Sequence, residues 1–449
     1  MASNIENGVY RTLVQERHAR GRRMQIFYFA SLVVAMLTLL MLMYNIVNQS
    51  FGVVVQTFEV RPEELSETPY EELSGEELGA ILLAEVPRRM LVLVRDELRA
   101  VPEDQFTRVP LSEAIDGDLP EGWVDLAIID LSQEEQSQLL VLNLSADELR
   151  GLVDQEILQP TIQQSWTLTE SLTDRSAIND LVEERYPEGE ILWRSWVNLD
   201  FINSALTFTP GTTGIFPALL GSIWIMIIVG LVSFPLGVGA AIYLQEYATD
   251  TWYNRLIETN IRNLAGVPSI IYGMLGLAIF VRTLVAITSG TAFGTENDSG
   301  RTILSAGLTL ALLILPIIII ASQEALRAVP WAIREASYGL GATRWQTISR
   351  QVLPTAMPGI LTGTILALSR AIGETAPLIV VGAAAFISVN PDGPFARFTA
   401  LPILVYNWTA QPDPQFRNAA AAAILVLLVL LLTMNSVAIV LRNRYSGRL

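Results

Sequence analysis

Five runs of roughly twenty residues in this chain carry no charge at all, at positions 26–47, 221–243, 264–280, 303–321 and 419–441, and a sixth, 357–387, carries only Arg370 and Glu374. A run of that length is enough for one helix to cross a hydrocarbon core about 30 Å thick. In lipid the backbone has to satisfy its own hydrogen bonds, which leaves the α-helix as the structure such a run can form. The chain is therefore predicted to be an α-helical polytopic membrane protein with six transmembrane helices. Only 16% of its 449 residues are charged, against about 25% in soluble domains. The first run is read as a retained helix at 24–47, not a signal peptide, because it is long and no small-residue cleavage site follows it.

The arginines give an orientation, since the chain has no lysine. A tail at 1–23 holds Arg11, Arg17, Arg20, Arg22 and Arg23. If that tail is cytoplasmic, the segments on its side of the membrane also collect Arg255, Arg262, Arg327, Arg334, Arg344, Arg350, Arg442, Arg444 and Arg448. The short loops opposite keep Arg282, Arg301, Arg397 and Arg417. Positive residues accumulate inside, so both termini are expected in the cytoplasm, with the chain crossing the membrane several times. The segment 48–203 is then expected outside.

That segment differs in kind from the rest. It contains 33 of the 45 acidic residues but only 10 of the 29 arginines, so the net charge of −16 belongs to it. Three capping boxes, Ser74 with Glu77, Ser132 with Glu135 and Ser145 with Glu148, each precede an apolar-periodic run and predict helix starts. Short apolar stretches at 90–94, 124–130 and 191–197 read as strands. An inserted α+β extracytoplasmic domain at 48–203 is expected, with the membrane core at 204–449. Its acidity reads as a solvated surface, or as a field that repels anions.

Several chemistries are excluded by what the chain lacks. A P-loop needs a lysine to reach nucleotide phosphates, so no nucleotide is hydrolysed by that route. There is no cysteine and a single histidine, His18, which leaves no thiolate metal site, disulfide or histidine-based triad. No nucleophile-and-base arrangement suggests an enzyme, no metal site is expected, and nothing suggests a nucleic-acid partner.

Ionisable side chains at membrane depth cost roughly 2.5–3.5 kcal/mol each on insertion scales and tend to mark a pathway. At about 100° per residue, Gly359, Gly363, Ala367, Arg370 and Glu374 fall on one face of a continuous helix. The small residues permit close helix approach. A guanidinium can hold two oxygens of an oxyanion, and Glu374 can pair with Arg370 when no anion is there. Pro377 is expected to kink or break the helix just beyond. The plain alternative is an ion pair that only locks helix packing.

In the loop before this helix, at 326–355, Glu335-Ala336-Ser337, Gly341 and Leu353-Pro354 resemble the glutamate-alanine-alanine signature of importer-type ABC transporter permeases, with Ser337 and Gln351 as departures from it. Residues 214–248, 263–277 and 369–382, the last reading SRAIGETAPLIVVG, resemble phosphate-specific permeases of the PstA type. The SWTLTESL and RSWVNLDF stretches are similar to those of relatives with an outer insertion. The resemblance implies the ABC importer permease fold, with Glu335, Ala336 and Gly341 in a coupling loop that docks on an ATPase and Arg370 and Glu374 in the substrate pathway. It further implies a homologous second permease subunit, an ATP-binding cassette ATPase dimer and an extracytoplasmic phosphate-binding protein, within a lipid membrane. ATP and Mg would be used by the partner ATPase, with no cofactor on this chain. Two other readings stay open: a permease for another oxyanion, sulfate or molybdate, or a membrane-anchored ligand sensor.

Overall fold

The computed structural model describes residues 2–446, apart from 59, 61–64, 67, 102–104, 121, 159–160, 296–298, 385 and 388. Arg448 lies outside the described residues, as do the side chains of Arg11, Arg17 and Arg20. The chain divides into two compact units: Met1–Phe51 with Ser195–Leu449, and Gly52–Arg194.

Chain order begins with α1 (Ala2–Ser50). Its stretch Gly21–Ser50 is long and apolar enough to span a membrane and has no buried residues across its most apolar window, as expected of a helix whose surroundings are lipid.

The smaller unit is built on β1 (Phe51–Thr57), α2 (Gly75–Glu85), α3 (Met90–Leu98), α4 (Gln133–Asn143), α5 (Ala146–Val153), β2 (Thr161–Ser165), α6 (Leu168–Thr173), α7 (Arg175–Arg185) and β3 (Glu190–Ser195). The strands form one sheet in the order β2-β1-β3, with β1 antiparallel to β2 and Val54 opposite Ser165. All three capping boxes form: the Ser74, Ser132 and Ser145 hydroxyls each accept from the backbone N–H three residues on, and the glutamate there reaches back. Leu78, Leu82, Met90, Phe106, Leu139 and Leu149 make the core.

Two expected strands are absent. Residues 90–94 begin α3, where Met90, Leu93, Val94 and Leu98 are buried. That is helical spacing, and a window of five apolar residues is too short to reveal it. Residues 124–130 form a 3₁₀ turn at Ile128–Asp130 and an isolated bridge between Pro110 and Ala127. The stretch at 191–197 does form a strand, β3.

The larger unit holds α8 (Phe216–Ile242), α9 (Trp252–Leu264), α10 (Ser269–Gly276), α11 (Ile303–Arg327), α12 (Trp331–Gly339), α13 (Leu353–Ala371), α14 (Ala376–Val381), α15 (Leu401–Thr409) and α16 (Gln415–Ser446). Among the described residues five helices are long and apolar enough to cross a membrane, or six if a bent pair counts as one. That pair is Trp252–Leu264 with Ser269–Thr283, between which the chain bends by 107°. The run at 264–280 is therefore broken near its start, not one straight helix. Pro268 supplies the reason, because its ring disfavours helical backbone in the residue before it. The run at 357–387 is broken as well: α13 stops at Ala371 and α14 starts at Ala376. A helix continued through Pro377 would set its ring against the carbonyl of Gly373. Ile225, Ile228, Val229, Leu310, Ile314 and Ala367 lie in the core that packs these helices together.

Candidate functional site

Two regions carry the residues singled out by sequence, and α13 joins them. Nineteen residues of helix rise roughly 28 Å at 1.5 Å each. The loop lies at one end and Arg370 at the other.

The loop is rigidly built. Pro330 precedes α12, and the helix closes at Gly341, whose φ is +82°. That left-handed backbone favours glycine and ends the helix by sending the Gly341 N–H to the Tyr338 carbonyl. A further capping box, between Thr343 and Gln346, starts the next helical turn, which runs on through a wide turn at Ile348–Val352 into Pro354 and α13. The Ser337 hydroxyl lies 2.9 Å from the Thr347 hydroxyl and staples the two halves of the loop. The serine that departs from the signature thus has a bonding role an alanine could not fill. Gln351, the other departure, lines an open cleft of about 600 Å³ together with Ala336, Leu340 and Gly341. Glu335 and Ala336 are exposed, Leu340 is 91% exposed, and Trp331 and Trp345 also face outward. An exposed acid beside exposed apolar side chains, in a concave and well-bonded loop, is a surface suited to a partner protein.

Sequence reasoning passed over the residue that fixes this loop, Arg334. Its side chain is 5% exposed and pairs with Glu246, 6% exposed, at 2.6 Å. The same guanidinium donates to the carbonyls of Val329 at 2.8 Å and Leu326 at 3.0 Å. Burial of a charge is tolerable only with such partners. The available signal was an arginine directly before Glu335 and a glutamate at the end of a span, more than eighty residues apart in the chain.

Along α13, Gly359 and Gly363 face α11. A Cβ on Gly363 would stand 2.3 Å from the Cβ of Ala321, and one on Gly359 2.9 Å from that of Ala325. These positions admit glycine because two backbones approach there. Ala367 is buried on the same helix. Glu374, however, is not on that helix: beyond Ala371 the chain makes two tight turns, with the Gly373 N–H on the Arg370 carbonyl and the Glu374 N–H on the Ala371 carbonyl. The expected single stripe therefore stops at Arg370. The pair itself still forms, Arg370 Nε donating to Glu374 Oε1 at 3.3 Å, with the two side chains 50% and 18% exposed. Glu374 is the one partner of this guanidinium among the described residues. One residue earlier, the Ser369 hydroxyl donates to Asn435 Oδ1 on α16 at 2.7 Å and ties the helix end down. On the other side of the break, α14 packs so tightly on α10 that a Cβ on Gly273 would come within 2.7 Å of Pro377 Cα. Chemically, this end of the bundle offers an anchored helix terminus with a half-open arginine whose donors are mostly uncommitted.

A broken apolar bundle with a structured, exposed loop at one end of α13 and a half-open arginine at the other fits a membrane permease, and sequence comparison agrees. Residues 233–447 match the family described as binding-protein-dependent transport system inner membrane component. Within that class the chain belongs to the PstA-type permeases. It is 31% identical over 265 residues to phosphate transport system permease protein PstA of Yersinia pestis, covering 56% of this chain and 84% of that one. The corresponding Haemophilus influenzae protein is 31% identical over 258 residues, covering 55% and 86%. Against PstA 1 of Mycobacterium tuberculosis the identity is 36% over 200 residues, and the chain spans about 61% of that relative's length and 44% of its own. A solved bacterial ABC transporter involved in import of the acidic polysaccharide alginate overlays on 61% of this chain and 91% of its own at 15% identity. Its TM-score is 0.41, too loose an overlay to bear on the site.

Proposed function

We propose that this chain is a transmembrane permease subunit of an ATP-driven importer, and that its substrate is inorganic phosphate, moved by alternating access. The observation that carries the reading is the half-open Arg370 guanidinium, paired at 3.3 Å with Glu374 at the end of a helix whose other end is the docking loop. A tetrahedral oxyanion fits a planar fork of donors. Glu374 holds the charge while the site is empty, and an arriving phosphate competes with that carboxylate for the guanidinium. The name borne by the relatives supports phosphate over other oxyanions, since an arginine alone does not choose among them.

In this reading the exposed loop around Glu335, Ala336 and Gly341 docks on a separate ATPase dimer, which binds ATP and Mg and performs the hydrolysis. This chain contributes no cofactor site. A homologous second permease completes the pathway, and an extracytoplasmic binding protein delivers the anion. The termini face the cytoplasm, and the acidic unit Gly52–Arg194 lies on the far side of the bacterial inner membrane, following the arginine distribution.

The test is uptake of labelled phosphate by vesicles holding this chain with its partner subunits, in competition with sulfate and molybdate. Uptake that unlabelled phosphate suppresses and the other two do not supports the reading. Suppression by sulfate or molybdate at lower concentration than phosphate overturns the substrate. Purification of the chain without any ATPase overturns the transporter itself and favours a ligand sensor.

A further inference from the structure

Three consecutive residues in the turn Tyr243–Tyr247 that follows α8 each meet an arginine, one at the end of α11 and two in the loop beyond it. Gln245 Oε1 accepts from Arg327 Nη2 at 3.4 Å. Glu246 takes the buried Arg334, at 2.6 Å to Nη2 and 3.5 Å to Nε. The ring of Tyr247 lies under the Arg344 guanidinium, 5.1 Å from carbon to centroid. The turn that presents them is wide, the Ala248 N–H reaching back five residues to the Tyr243 carbonyl at 2.8 Å. Single turns of this kind are frequent at functional positions.

From this arrangement we infer that Glu246 and Tyr247 are positioning residues through which the docking loop is held in register with the spans, so that movement of the loop is carried into α8. The inference deepens the proposed function and rests on the loop being where an ATPase docks. Arg334 lies before the Gly341 turn and Arg344 after it, so the two halves of the loop are fastened to adjacent residues of one helix end. Arg334 also bonds the Leu326 and Val329 carbonyls at the end of α11. One guanidinium thus links the loop to two spans. A loop displaced by its partner either drags the end of α8 with it or strips a buried carboxylate of its counter-charge. The second course is strongly unfavourable, and the first is what coupling requires.

A pair that only stabilises the fold would have the same geometry, so the test reads the ATP hydrolysed per phosphate moved by the reconstituted complex. Two variants keep the local volume while weakening the grip: Arg334→Lys retains the charge but not the fork, and Tyr247→Leu retains an apolar side chain but not the ring face. Each is expected to co-purify with the ATPase and to hydrolyse ATP while raising that ratio by about tenfold, within the usual span of couplings between sites. Arg334→Met is expected to assemble poorly, and adding Glu246→Gln to it restores assembly, because no unpaired buried carboxylate is left, without restoring the ratio. A wild-type ratio in Tyr247→Leu and in the assembled double variant overturns the inference and leaves the pair a fold-stabilising contact. A wild-type complex that moves no phosphate when ATP is supplied overturns the proposed function instead, and the two failures are thereby distinguishable.

Discussion

Two arginine–glutamate pairs sit near opposite ends of α13, made of the same groups and arranged to opposite effect. Arg334 and Glu246 are 5% and 6% exposed and 2.6 Å apart, and the arginine spends further donors on two carbonyls. Arg370 and Glu374 are 50% and 18% exposed and 3.3 Å apart, and that arginine bonds nothing else among the described residues. A guanidinium with its donors committed is a fastening, and one held by a single weak carboxylate contact is free to take another anion. The difference lies in satisfaction of the donors, not in residue type or in distance along a helix.

The largest effect expected from this contrast is on stability. Arg334→Met strands a buried carboxylate and should cost about 3–5 kcal/mol, whereas Arg370→Met removes a longer, half-open pair and should cost clearly less. Thermal unfolding of the purified protein measures both, and equal losses would erase the distinction between the two ends. Between them, Gly363→Leu forces a side chain into the contact with Ala321 and should cost about 1–3 kcal/mol. An unchanged melting temperature would mean that α13 and α11 are not held as closely as their backbones indicate.

Smaller effects are expected in the unit Gly52–Arg194. Ser132→Ala removes a helix cap with both of its bonds formed and should cost about 1 kcal/mol; no change would show that the cap is idle. The smallest effects depend on pH. The backbone and hydroxyl of Ser74 hold the Glu77 carboxyl below its usual range, so its contribution is present above pH 4.5 and fades as pH falls through the lowered value. Burial, with Asp96 and Glu148 nearby, pushes the Glu97 carboxyl up. That group favours the fold while protonated, and the benefit is lost as pH rises through the raised value. At neutral pH Glu77→Ala should therefore destabilise and Glu97→Gln should stabilise, with both differences shrinking in acid. Unfolding of the full chain at two pH values reads the signs.

Local signals were legible in the sequence and distant ones were not. The capping boxes at Ser74, Ser132 and Ser145 specify a helix start within four residues, and each formed. The uncharged runs announced the spans because lipid leaves the backbone no other choice. Residues 90–94 misled because five apolar side chains fit a strand and a helix equally well. The stripe through Glu374 failed at Pro377, whose break falls before the glutamate and not after it. Arg334 went unnoticed because its partners, Glu246 and the carbonyls of Leu326 and Val329, are brought together only by packing. Arg370 and Glu374 were visible because their charge is out of place in an apolar run.

The measurement that bears most directly on the account is phosphate uptake by the complex carrying Arg370→Ala, with assembly and melting temperature followed in the same preparation. Losing a charged contact to the anion should lower uptake roughly 10- to 100-fold while assembly and melting temperature stay as in the wild type. Wild-type uptake by that variant would contradict the account.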